Sequence, residues 1–65
     1  MPMIIVEGGK IDDPEKKRKL ISKLTDAACE AYETIPKQAF VVIIKENSAE
    51  NIGSGGECLA DRMKK

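Results

Sequence analysis

Residues 39–44 read AFVVII. Every side chain in this run is apolar, and four of the six are β-branched. A run that is apolar on both faces suits a buried parallel strand better than an exposed hairpin strand, which would alternate apolar with polar residues. A parallel partner stands at the start of the chain, where residues 3–6 (MIIV) form a similar run that ends near Glu7, Gly8 and Gly9. Between the two runs lies a helix. Asp13 suits the N-cap and Pro14 the first helical position. The following EKKRKLISKLTDAACEAYE contains neither glycine nor proline, and Leu20, Leu24, Ala27, Ala28 and Ala31 recur on one face with Ile21 beside them. The helix is expected to stop near Glu33 or Thr34, because Pro36 disfavours helical geometry at Ile35. Strand, helix and strand make a βαβ unit with a right-handed crossover, an α/β (α+β) fold.

After the second strand, residues 47–57 (NSAENIGSGGE) carry three glycines and read as turns, with GSGGE as a hairpin turn. GSGGE lacks the Lys-Ser/Thr of a phosphate-binding loop and the spacing of a dinucleotide fingerprint, and Gly8-Gly9-Lys10 fails in the same way. Residues 59–63, followed by Lys64 and Lys65, are expected to form a short helix or an exchanged arm.

Sixty-five residues make a single domain, 1–65. A chain of this size buries only roughly 60% of its unfolded surface, and small domains usually add disulfides, a metal or a partner subunit. Two cysteines, Cys29 and Cys58, make no disulfide framework. The absence of histidine and of any CxxC speaks against a metal site. Eleven basic and eleven acidic residues balance, and Tyr32 and Phe40 are the only aromatics, so nucleic-acid binding is not expected. The run Lys16-Lys17-Arg18-Lys19 is read as the solvated face of the helix. No apolar run is long enough to span a bilayer. A cytoplasmic protein is the expectation, stabilised by oligomerisation, because one helix covers only one face of a sheet apolar on both.

Proton transfer near neutral pH usually falls to histidine, and this chain has none. Cys29 falls beside the apolar stripe and Cys58 after the glycine turn, and neither thiol has a histidine to activate it. What remains is an α-amino group. Initiator methionine is usually removed before a small residue, which would leave Pro2 as the N-terminus. Its ring fixes φ, so the strand that it begins sets the direction of its nitrogen. Burial among apolar groups lowers an amine pKa, and a neutral, fixed amine suits a general base.

The order MP, apolar strand, long amphipathic helix, VVII and GSGGE over nearly the whole chain resembles the 4-oxalocrotonate tautomerase family. The resemblance implies a βαβ unit with a C-terminal hairpin, assembled as a homohexamer built as a trimer of dimers. It implies a cofactor-independent tautomerase, an isomerase that interconverts enol and keto forms of small 2-oxo acids or shifts a double bond, with Pro2 as catalytic base. Well-studied members hold substrate carboxylates with two arginines. Matching places Asp12 at one of these positions and Val41 or Phe40 at the other, so neither arginine is present. Lys10, close to the first position, offers a substitute cation, a point charge without the bidentate fork, with a solvated loop lysine as the other reading. Ile52 stands where those enzymes place an aromatic before the glycine turn. A monocarboxylate or aryl enol such as phenylenolpyruvate therefore suits the apolar lining better than a dicarboxylate such as 2-hydroxymuconate. The alternative is a non-catalytic oligomeric binding or structural module on the same fold. A ribbon-helix-helix DNA binder is contradicted by the AFVVII run.

Overall fold

The structure, a computed structural model, describes residues 2–63. Met1, with the question of its removal, and Lys64 and Lys65 lie outside the described residues. Strand β1 is Met3–Gly8, helix α1 is Pro14–Ala31 and strand β2 is Val41–Glu46. The strands pair in parallel, with Met3 opposite Val41 and Gly8 opposite Glu46, which is the βαβ unit the two apolar runs predict.

Helix α1 begins as expected. Asp13 caps it by accepting the Glu15 N–H at 2.9 Å, and Pro14 takes the first position, where a missing N–H costs nothing. Its end comes earlier than Pro36 alone suggests. Tyr32 leaves helical geometry, and a turn closed by the Ile35 N–H on the Tyr32 carbonyl at 3.3 Å replaces the last helical turn. That turn brings Phe40 under Tyr32, with ring centroids 5.9 Å apart. Phe40 is 8% exposed and is the one buried apolar residue among those described.

The strand predicted over residues 39–44 is shifted. Ala39 belongs to a 3-10 turn, Lys37–Ala39, that follows Pro36, and pairing starts at Val41. Apolarity alone does not separate a half-buried turn from a strand. Both strands run two residues further than their apolar cores because the ladder continues through Glu7 opposite Lys45 and Gly8 opposite Glu46.

The helix stripe is narrower than the sequence suggests. Lys17, Leu20, Leu24 and Ala28 are half-buried with Ile4, Val6, Val42 and Ile44 beneath them, while Ala27, Ala31 and Ile21 are exposed. Two strands about 4.8 Å apart do not underlie the full width of a helix about 10 Å across, so the flanks overhang. The opposite sheet face is open: Met3 is 53% exposed, Ile5 48% and Ile43 36%.

Beyond β2, a 3-10 turn, Ala49–Asn51, leads into a hairpin of β3, Gly53–Ser54, and β4, Glu57–Cys58, and then the one-turn helix α2, Leu59–Arg62. Gly55 and Gly56, at φ 62° and 84°, form the hairpin turn in a region where a side chain is strained. These elements pack chiefly on one another. Arg62 bonds Glu57 through Nε at 2.6 Å and the Ser54 carbonyl through Nη2 at 3.3 Å. The Cys58 Sγ–H donates to the carbonyls of Ala49 and Glu50, and Cys29 is half-buried in α1. The result is an arm, and the chain measures 48 × 24 × 13 Å with a radius of gyration of 15.5 Å. A compact chain of this length would have a radius of about 11 Å.

Candidate active site

The two ends of the parallel sheet differ in what surrounds them. At the amino end of β1 stands Pro2, half-buried, whose carbonyl accepts the Val41 N–H at 3.1 Å. That bond extends the ladder by one residue and, with the locked ring, orients the proline nitrogen. At the carboxyl ends of both strands, the usual place for a ligand crevice beside parallel strands, lies a cavity of about 350 Å³. Its polar side is Gly9, Lys10 and Asp12 from the loop after β1, together with Asn47 after β2. Its apolar side is Ala49, Ile52, Leu59 and Met63 from the arm.

Local chemistry explains how the polar side is held. Asn47 donates its N–H to the Gly8 carbonyl at 2.8 Å, which carries the strand ladder into the cavity wall. Glu46, the last residue of β2, turns its carboxylate into the loop. Oε2 accepts the Ile11 N–H at 2.6 Å, and Oε1 pairs with Lys17 Nζ of α1 at 2.7 Å. The Lys17 bond, then the Ile11 amide, hold the Glu46 carboxyl below its ordinary value. The other ion pairs, Arg18–Glu15, Lys37–Asp26 and Arg62–Glu57, are more exposed surface contacts.

Of the three residues expected at the site, Lys10 and Ile52 line this one cavity, although 41 positions separate them in the sequence. Pro2 does not line it and lies at the other end of β1, about 20 Å from Gly8 at about 3.3 Å per strand residue. Leu59 and Met63 also line it, although their residue types alone do not mark them. Their four-residue spacing after a hairpin turn is the one signal that places both on the same side of a short helix. Among the described residues no group of three or more His, Cys, Asp or Glu side chains is placed to hold a metal, and no helix is long and apolar enough to cross a membrane.

The chain belongs to the 4-oxalocrotonate tautomerase family: the family model described as tautomerase enzyme matches residues 2–62. Among solved structures it is similar to DmpI from Archaeoglobus fulgidus, at 42% identity over 92% of this chain and 100% of that one, with a TM-score of 0.78. It is also similar to TomN, a 4-oxalocrotonate tautomerase homologue in the tomaymycin biosynthetic pathway. That match has 33% identity over 98% and 97% of the two chains and a TM-score of 0.86. A heterohexamer 4-oxalocrotonate tautomerase from Chloroflexus aurantiacus shares the fold, at 24% identity over 94% and 97% of the chains and a TM-score of 0.81. No curated protein matches.

Proposed function

We propose that this chain is a cofactor-independent tautomerase of small 2-oxo acids, with the amine of Pro2 as its base once Met1 is removed. The observation that carries the reading is the pairing of an amine fixed on the strand ladder with a separate cavity that holds one cation, Lys10, against an apolar wall. A proline nitrogen inside a peptide bond is an amide without basicity, so removal of Met1 is part of the proposal. In the direction of ketonisation, Pro2 nitrogen takes the enol O–H proton, the electron pair forms the carbonyl, and the C3 carbon receives a proton back from the ammonium. The substrate's own carbonyl spreads the developing charge, so no metal or cofactor enters. Lys10 pairs with the carboxylate, while Ile52, Leu59 and Met63 cover the tail and exclude water.

Because Pro2 and the cavity lie at opposite ends of one sheet, the working site joins Pro2 of one copy to the cavity of another. The open face of Met3, Ile5 and Ile43 favours such packing, and the Chloroflexus relative is a heterohexamer. We assign a homohexamer, a trimer of dimers, in the cytoplasm. Asp12, placed in the cavity where well-studied members carry an arginine, favours a second reading, a binding module without catalysis. One experiment separates the two. The mass of the cell's own protein is measured, and ketonisation of phenylenolpyruvate is assayed before and after the N-terminal amine is blocked. Activity that disappears on blocking is the expected result. A Met-free protein inactive on every enol acid selects the binding module, and activity that survives blocking moves the chemistry away from Pro2.

A further inference from the structure

We propose that Glu46 is a positioning residue: its carboxylate latches the loop after β1 and so sets where Lys10 and Asp12 stand around the cavity. The inference rests on the reading of Lys10 as the contact for a substrate anion, and it reaches a residue that the reaction itself does not touch.

Three observations point to it. Ile11, whose N–H is bonded to Glu46 Oε2 at 2.6 Å, lies between Lys10 and Asp12, the two charged residues of the cavity wall. The second oxygen, Oε1, is engaged by Lys17 Nζ at 2.7 Å, so one carboxylate joins the end of β2, the loop and helix α1. Asn47, the next residue, lines the cavity and is fixed on the Gly8 carbonyl. The loop needs such a tie. Gly9 precedes Lys10 and contributes no side chain, nothing would meet a Cβ built at Gly8 or Gly9, and both are exposed. No other side chain among the described residues hydrogen-bonds a backbone N–H of residues 9–12. Without the Ile11 bond, residues 9–12 would be held only at the strand end and at the Asp13 cap. Glu46 itself does not line the cavity, so its influence on a ligand passes through Ile11 and the residues on either side.

The magnitude follows from populations. A ligand that needs the latched loop binds with an apparent Kd equal to the intrinsic one divided by the latched fraction. A loop latched for between half and a tenth of the time therefore weakens binding about two- to ten-fold. The variants separate the two oxygens. Glu46→Ala removes both contacts. Glu46→Gln keeps a carbonyl oxygen for the Ile11 N–H and loses the charge. Lys17→Met removes only the ion pair.

The test uses the full chain in its native assembly, with 3-phenylpropanoate, an unreactive apolar monocarboxylate, as probe. Amide hydrogen exchange is followed at residues 10–12 and along β2, and the probe's Kd is measured by calorimetry. In Glu46→Ala, Ile11 exchange is expected to accelerate at least ten-fold, a loss of protection as large as an opened hydrogen bond gives. The β2 amides should keep wild-type rates and Kd should rise about two- to ten-fold. Glu46→Gln and Lys17→Met should fall between Glu46→Ala and wild type in both readouts. With phenylenolpyruvate, Glu46→Ala should raise KM and leave kcat unchanged, because the contact is made equally in ground and transition states.

Unchanged Ile11 exchange, equal acceleration throughout β2, or no measurable binding of the probe by wild type would each overturn the latch. If wild type binds the probe with the predicted order among variants yet turns over no enol acid, the isomerase reading fails and the latch stands.

Discussion

Ile5→Thr tests whether the open sheet face is an interface on which activity depends. Burying an isoleucine fully is worth about 1.5–3 kcal/mol. Ile5 is still 48% exposed, so covering it would contribute about half of that, about 1 kcal/mol. Met3 at 53% and Ile43 at 36% bring the face to about 2–4 kcal/mol per chain. Threonine keeps the β-branch and the strand propensity, so the fold of the single chain should survive. It replaces a methylene-bearing branch with a hydroxyl that finds no partner on an apolar face, at a further cost of about 1 kcal/mol. The loss is about 2 kcal/mol per chain, or about 4 kcal/mol where two such faces meet, close to a thousand-fold in the association constant. Sedimentation equilibrium over a concentration series measures it, with circular dichroism to establish that the secondary structure is retained. Ketonisation of phenylenolpyruvate is followed over the same series. Activity should fall as the assembly dissociates, because Pro2 and Lys10 of one chain lie at opposite ends of β1. An association constant within three-fold of wild type would refute the interface. Full activity in a dissociated chain would refute the shared site.

Phe40→Ala removes the one buried apolar side chain among the described residues and its contact with Tyr32. The expected loss of about 3–4 kcal/mol rivals the whole stability of a chain this short, so urea titration should find the variant largely unfolded at concentrations where wild type is folded. Acid should loosen the loop after β1 through Glu46. Its carboxyl is held below the ordinary value of 4.5 in the folded chain, so its contribution to stability is present above that value and lost as the pH falls through the lowered one. Melting temperature against pH should therefore fall more steeply below pH 4.5 in wild type than in Glu46→Gln. Asp12 repels a second carboxylate in the cavity, so Asp12→Asn should raise kcat/KM for 2-hydroxymuconate relative to phenylenolpyruvate by about three- to five-fold. An unchanged ratio would remove Asp12 from substrate selection.

Local rules account for much of what could be read before folding. The Asp13 cap, Pro14 at the first helical turn and the paired glycines 55 and 56 each act within a few residues, and each is found where the sequence placed it. The errors lie where a distant element intervenes. The end of α1 is set by the packing of Phe40 on Tyr32, and the start of β2 by pairing with Met3, neither of which a run of apolar letters encodes. Lys10 and Ile52 were legible as single residues through the family resemblance. Their meeting in one cavity depends on the arm folding back beside the loop after β1. Glu46 carried no signal, because a glutamate after an apolar strand reads as an ordinary solvated end.

By itself the sequence determined the βαβ order, the parallel pairing and the excess of apolar surface, since periodicity, caps and turn residues are local and the chain cannot cover both sheet faces with one helix. Only the tertiary structure decided that the arm meets the loop of Lys10 in a cavity, and that one carboxylate joins strand, loop and helix. Parallel pairing brings the loop after β1 and the segment after β2 to the same end of the sheet, where the arm closes the cavity, and it leaves Pro2 a strand's length away. Within a single chain, nothing in that geometry brings Pro2 and the cavity together.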